Sequence, residues 1–161
     1  MTPVEDVVAR WVLALDDRAW DAVVACLDDT VRRDYGSLTG AAPDDIAGPD
    51  LVAEWREAIG GLDAHQHVLG LPVIEVAGDD RGDDDDAVTA HEARVAVHVV
   101  ATHTLDGDAG SPWVVGGTYR LLVRRRGGRW RIAAITLDTR WQIGDRGVLE
   151  RAVARLRARG T

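Results

Sequence analysis

The chain has 161 residues, and its 19 Lys+Arg against 27 Asp+Glu leave a formal net charge of −8 and a pI near 5.0. That length suits one domain, residues 1–161, with a core of its own, and an acidic surface is repelled by phosphate backbones and anionic lipid, so neither nucleic acid nor a membrane is an expected partner. Every basic residue is Arg; without a lysine ε-amine, Schiff-base catalysis and a phosphate-loop lysine are excluded.

The start Met1-Thr2-Pro3-Val4-Glu5-Asp6 has neither the basic nor the apolar segment of a secretion signal, and no apolar run approaches a membrane span. A cytoplasmic location is expected. Cys26 is the only cysteine, which excludes an internal disulfide and a Cys-rich zinc site; its apolar helical surroundings predict a buried structural thiol.

Val4, Val8, Trp11, Val12 and Leu15 recur at helical spacing behind Pro3 and predict an amphipathic helix. Trp20, Val23, Val24 and Leu27 predict a second, shorter one over 19–27. Residues 30–35 suit a strand, residues 36–48 read as a Gly-, Ala- and Pro-rich loop, and Pro49 opens a third helix reaching about Ile59. After Gly60-Gly61 the period changes: His67–Val76, Ala87–Leu105, Trp113–Arg126 and Arg129–Arg140 read as strands, the last two joined by a tight Gly127-Gly128 turn. Val148, Leu149, Ala152, Val153 and Leu156 return to helical spacing. Helices followed by long antiparallel strands predict an α+β fold: a cone-shaped, curved antiparallel sheet with the N-terminal helices packed on its concave side, whose interior is an apolar pocket.

Alternation on the strand from His91 to His103 places His91, Ala93, Val95, Val97, Val99, Ala101 and His103 on one face, expected to be the buried one, and the next strand does the same for Trp113, Val115, Gly117, Tyr119, Leu121 and Val123. His103 and the Tyr119 hydroxyl then lie among apolar neighbours and need polar partners. Asp16 lies one turn after Val12, at the margin of the first helix's apolar stripe. An inward carboxylate there needs a partner, and an imidazole is the catalytic choice. His65 and His67, two apart on a strand, share a face and suit chelation geometrically, but no acidic cluster or third ligand pattern supports a metal, and none is expected. The run Asp79–Asp86 suits a solvated hairpin tip. Arg124, Arg125, Arg126, Arg129 and Arg131 make a basic hairpin end suited to edge protection, and Arg151, Arg155, Arg157 and Arg159 complement the last helix's dipole.

The order Leu15-Asp16-Asp17-Arg18-Ala19-Trp20, Val31-Arg32-Arg33-Asp34-Tyr35, His65-Gln66-His67, Ala101-Thr102-His103 and Arg140-Trp141 resembles the SnoaL-like branch of the nuclear-transport-factor-2-like (cystatin-like) superfamily, and within it the scytalone dehydratases and polyketide cyclases. The resemblance runs from about residue 5 to 143. It implies that Asp16 pairs with a pocket histidine, that Tyr35 gives a hydroxyl to a substrate carbonyl, and that His67 and His103 face the substrate. Leu15 stands where the dehydratases have a second carbonyl-polarising tyrosine, and Tyr119 where they have an asparagine, which implies a different grip on a different substrate.

Together these readings predict an acid-base enzyme that needs no cofactor and acts on a small, apolar, oxygenated carbocyclic or polyketide-like substrate. Asp16, Tyr35, His67 and His103 are expected to be catalytic, with Leu15, Val99, Tyr119 and Trp141 lining the substrate site. Elimination of water is the expected reaction, one histidine serving as base and the other as acid; an intramolecular cyclase and a non-catalytic binding module are the alternatives. A homo-oligomer, dimer or trimer, is expected because Val100, Leu122 and Ile132 or Ile135 make the sheet's outer face apolar.

Overall fold

The computed structural model describes residues 1–77, 91–106 and 112–159. The run Asp79–Asp86 lies outside the described residues, as do positions 87–90 of the strand expected to start at Ala87.

Helix α1 (Pro3–Asp16) begins with a capping box: Thr2 Oγ1 accepts from the Glu5 backbone N–H at 3.2 Å while a Glu5 carboxylate oxygen accepts from the Thr2 N–H at 2.6 Å. Its buried stripe contains Val4, Val8, Trp11, Val12 and Leu15. The helix ends in a Schellman motif, with Ala19 N–H bonded to Ala14 O at 2.9 Å and Arg18 N–H to Leu15 O at 3.1 Å. The left-handed position falls on Arg18, at φ +57°, where glycine is usual. Arg18 Nη2 donates to Leu62 O at 2.6 Å, fastening this costly turn to the chain just before residue 64. The end of α1, and with it Asp16, is thereby fixed.

Helix α2 (Trp20–Cys26) runs into strand β1 (Leu27–Asp34), and α4 (Gly48–Ile59) follows with Pro49 in its first turn. The stretch expected to be loop contains a short helix α3 (Gly36–Thr39) and strand β2 (Asp44–Ala47), which pairs antiparallel with β1. Arg33 stabilises that pair by a forked contact with Asp44, and it also bonds Glu54 of α4. The expected strand over 67–76 is two, β3 (Ala64–Leu69) and β4 (Val73–Val76), both paired along the same edge of β5 (Glu92–Thr104). Strands β6 (Trp113–Arg126) and β7 (Arg129–Ile143) form a long hairpin, and α5 (Val148–Arg159) closes the described chain. Gly127 and Gly128, at φ +55° and +78°, supply the two left-handed residues of its turn.

The sheet runs β2-β1-β7-β6-β5-β3, with β4 beside β5. It curls without closing, and it is mixed: β1 lies parallel to β7, where an antiparallel sheet was expected. The inward rows are as the alternation predicts, from Ala93 to His103 on β5 and Trp113 to Val123 on β6, although His91 itself is exposed. Helix α1 covers the concave side, and Trp11 is 1% exposed there.

Two register shifts on β7 alter the expected faces. Val123 pairs with Ile132 and Leu122 with Ala134, so Ala133 is an extra residue and both Ile132 and Ile135 turn inward, wholly buried. They do not contribute to the outer face. The second shift pairs Gly117 with Thr139 and Gly116 with Trp141. A side chain at Gly117 would start 2.3 Å from Asp138 O, and the Ser37 hydroxyl accepts from Thr139 N–H while donating to Leu137 O, so the distortion is held from two sides.

Three of the arginines at the hairpin end are committed to carboxylates: Arg124 to Glu92 at 3.1 Å, Arg126 to buried Asp28 at 3.0 Å and Arg131 to Asp29 at 3.7 Å. Those of α5 act as tethers rather than only as dipole partners, Arg155 bonding Asp63 at 2.6 Å and Arg157 bonding Glu57 of α4 at 2.5 Å. Cys26 is a buried free thiol. Among the described residues no helix is long and apolar enough to cross a membrane.

Candidate functional site

Register brings the histidines together. His65 of β3 pairs with His103 of β5, which pairs in turn with Trp113 of β6; two residues along, His67 pairs with Ala101 and Ala101 with Val115. Of these, His65 and His67 reach the end of α1, at Leu15 and Asp16. Because β3 is the sheet's outermost strand here, its backbone N–H at His67 has no strand to bond, and Asp16 takes it.

Asp16 Oδ2 accepts the His67 backbone N–H at 2.8 Å, and Oδ1 accepts His67 Nδ1–H at 2.7 Å. A carboxylate can only accept, so Nδ1 carries a proton, and in the neutral ring the lone pair is then on Nε2. His65 lies behind this pair. Its Nε2–H donates to Leu15 O at 2.9 Å, its buried Nδ1 has no partner among the described residues, and burial lowers its pKa, so it is a neutral strut holding the end of α1 against β3.

His103 Nδ1–H donates to Trp113 O at 3.3 Å, and the imidazole stacks on the Trp113 indole with centroids 4.6 Å apart. Burial, aided by the neighbouring His67, pushes its pKa down to about 4. The ring is therefore neutral near pH 7 and also presents an Nε2 lone pair. The His67 and His103 centroids are 6.2 Å apart, edge to face.

These rings open on a cavity of about 240 Å³. Leu15, Tyr35, His67, His103 and Tyr119 all line it, in a wall made largely of Trp11, Trp55, Trp113, Ala101, Val115 and Leu137. Burial raises the pKa of the Tyr35 hydroxyl, with the Trp55 side chain hydrogen-bonded to it, and likewise raises that of Tyr119. Both are proton donors at any ordinary pH. Tyr119 is fixed by an edge-on contact with Trp11 at 5.3 Å.

Two expected lining residues are not there. Val99 is buried on the inward row but does not reach the cavity wall. Trp141 is 43% exposed and lies over Gly116 on the sheet's outer side, where the β7 bulge sends it. The sequence reading missed Arg146, in the turn before α5, which joins the cavity rim; an isolated Arg in Gly144-Asp145-Arg146-Gly147 carries no signal of that placement. Trp11 and Trp113 were legible as inward residues but not as walls.

A family model described as a SnoaL-like domain matches residues 1–136. The scytalone dehydratase-like protein claB of Passalora fulva is 25% identical over 143 residues, 82% of this chain and 80% of that protein. The crystal structure of the Kfla4162 protein from Kribbella flavida has a TM-score of 0.76 at 24% identity, covering 92% of this chain and 94% of its own. The hexachlorocyclohexane dehydrochlorinase LinA-type3 from Novosphingobium barchaimii has a TM-score of 0.66 at 12% identity, covering 89% and 88%. Both solved structures share this fold.

Proposed function

Because the chain belongs to the SnoaL-like domain family, we propose that it is an acid-base catalyst of β-elimination, removing water from a small β-hydroxy carbonyl compound with its own side chains. One observation carries this reading: Asp16 holds His67 by ring and backbone, so that Nε2 is the lone-pair atom offered to a cavity whose other polar groups include two protonated tyrosines. A general base with a fixed tautomer and donors opposite it are the parts an enolate-forming step needs.

In this mechanism His67 Nε2 takes the proton α to the carbonyl, and Asp16 stabilises the resulting imidazolium. Tyr35 and Tyr119 donate to the carbonyl oxygen as negative charge collects on it. The C–O bond to the β-hydroxyl then breaks, and the imidazolium returns its proton to the departing oxygen, so a carbon-carbon double bond and one water are formed and the base is restored. His103 does not serve as the acid expected from sequence, because it is neutral and its one N–H is directed to Trp113 O. It accepts a hydrogen bond from a substrate hydroxyl and orients it.

The cavity of about 240 Å³ is below the ~300–1,000 Å³ of pockets for drug-sized ligands, which favours a substrate of one or two rings. The names of the claB relative and the LinA-type3 neighbour both denote eliminations, of water and of hydrogen chloride, which is consistent with this class of chemistry. An intramolecular aldol or epoxide-opening cyclase is the second reading, favoured by the neutral state of His103: such a reaction needs the base and the oxygen donors but no separate acid.

The test is proton exchange. A bicyclic β-hydroxy ketone is incubated with enzyme in deuterated water and followed by NMR for both α-deuteration and loss of water. Wild type is expected to catalyse both, and His67→Gln to lose about 10²-fold or more of each. Exchange without dehydration would point to the cyclase. A cavity that binds the ketone with no exchange beyond the buffer rate would make the domain a binding module.

A further inference from the structure

We infer that Arg146 is a specificity residue that recognises a carboxylate on the substrate, so that the natural substrate is a small ring compound bearing an acidic group as well as its reacting carbonyl. The inference rests on the cavity being the substrate site.

Arg146 is the only formally charged side chain, histidines aside, among the described residues that line the cavity. Its backbone lies in the turn that leads into α5, and its guanidinium reaches across to α3, where Nη1 donates to Leu38 O at 2.9 Å. The same guanidinium lies 5.8 Å from the Trp113 ring centroid. These contacts fix the group in place and leave its charge uncompensated, since a carbonyl and an indole face are both neutral.

The carboxylate beside it in sequence is engaged elsewhere. Asp145 Oδ1 accepts the Gly147 N–H at 2.9 Å and Oδ2 accepts from Arg151 at 2.9 Å. Many arginines of this acidic chain have found carboxylates, as Arg33, Arg120 and Arg155 have. Arg146, on the rim of an apolar cavity, has no carboxylate among the described residues. A fixed guanidinium with spare N–H groups is matched by a planar anion that accepts two parallel hydrogen bonds.

Position separates this role from that of the tyrosines. Trp113 is touched by both Arg146 and His103, so the cation lies one indole away from the histidine pair, on the exposed rim of the site. An anion held there is remote from the bond being broken. It orients the ring so that the acidic C–H meets His67, and the developing oxyanion remains with Tyr35 and Tyr119.

The experiment compares naphthalene carboxylate with its uncharged carboxamide, titrated against the full chain by calorimetry at low and at high salt. Wild type is expected to bind the carboxylate at least about ten-fold more tightly, equivalent to about 1.4 kcal/mol, with the preference shrinking as salt rises. Arg146→Gln is expected to abolish the preference while leaving carboxamide affinity unchanged, and Arg146→Lys to restore part of it. A merely structural role for Arg146 would move both affinities together. Equal affinity of wild type for the two probes, including no measurable binding of either up to their solubility, overturns the inference, as does a preference that survives in Arg146→Gln. Failure of the catalytic reading is recognised separately, by absent proton exchange in a protein that still discriminates the two probes.

Discussion

Asp16 grips His67 at two points, its two oxygens taking the ring Nδ1–H at 2.7 Å and the backbone N–H at 2.8 Å. The backbone bond fixes where the residue is, and the ring bond fixes which nitrogen is basic. A substitution that spares one bond and damages the other can therefore separate position from basicity.

Asp16→Asn is that substitution. The amide oxygen can still accept the backbone N–H, but the amide carries no charge with which to stabilise an imidazolium. Turnover of the β-hydroxy ketone is expected to fall by about 10²-fold or more in kcat, with KM changed little, because the lost interaction strengthens only as the proton is transferred. Steady-state kinetics on the folded variant measure it; an unchanged kcat would remove Asp16 from the mechanism.

His103 gives the fold a pH dependence whose sign is determined. Its pKa is about 4 in the folded protein and near the ordinary 6.5 once unfolded, so between those values the unfolded chain binds more protons. Stability is fully present above pH 6.5 and is lost as pH falls toward 4, by on the order of 3 kcal/mol from this residue. His65, also lowered by burial, adds in the same direction. Denaturant titrations at pH 7 and pH 4.5 are expected to show the loss, and His103→Gln to shrink it.

How legible the site was follows from which signals are local. Asp16 at the margin of a helical stripe and His103 at the end of an alternating row are set by period, and both lie where the spacing predicts. Trp141 was misplaced because it was carried over from the resemblance and not from strand phase, and the phase at that end of β7 depends on a second bulge whose supports, the hydroxyl of Ser37 and the missing side chain of Gly117, lie in other elements. The strand Asp44–Ala47 was missed for a similar reason. Its pattern is polar, and it is a strand through its register with β1 and the Arg33-Asp44 contact.

The corrected position of Trp141 gives a contrast between two aromatic residues. Trp141→Ala is expected to leave kcat/KM within about two-fold, since the indole lies on the outer face. Tyr119→Phe keeps the packing on Trp11 but removes a donor, and is expected to cost about ten-fold or more. Parallel kinetics on the two variants decide it; the reverse order would place the substrate on the wrong side of the sheet.

On that outer face Val68 pairs with Val100, Val100 with Gly116, and Gly116 with Trp141, a row of apolar surface in which Val68 is 58% and Val100 38% exposed. This row, rather than the isoleucines expected from sequence, is where a second copy of the chain is expected to dock. Light scattering at micromolar concentration is expected to give a multiple of 17.4 kDa. Val100→Asp is expected to reduce it to that value, and a wild-type monomer across all concentrations would contradict the expectation.

The parallel pairing of β1 with β7 sets a condition on how the chain acquires its shape. As it leaves the ribosome, β1 can find β2 within a few residues, but the strand that joins this pair to the rest of the sheet is synthesised about a hundred residues later. Until then the apolar side of β1, including Val31, has no sheet to join and is open to wrong associations. Folding should accordingly wait on the C-terminal hairpin and be slow for a domain of this size, as expected where distant segments must meet first. Fragments ending before β7 should aggregate rather than form a smaller version of the domain, whereas a separately supplied β6–β7 hairpin has the register to rescue them.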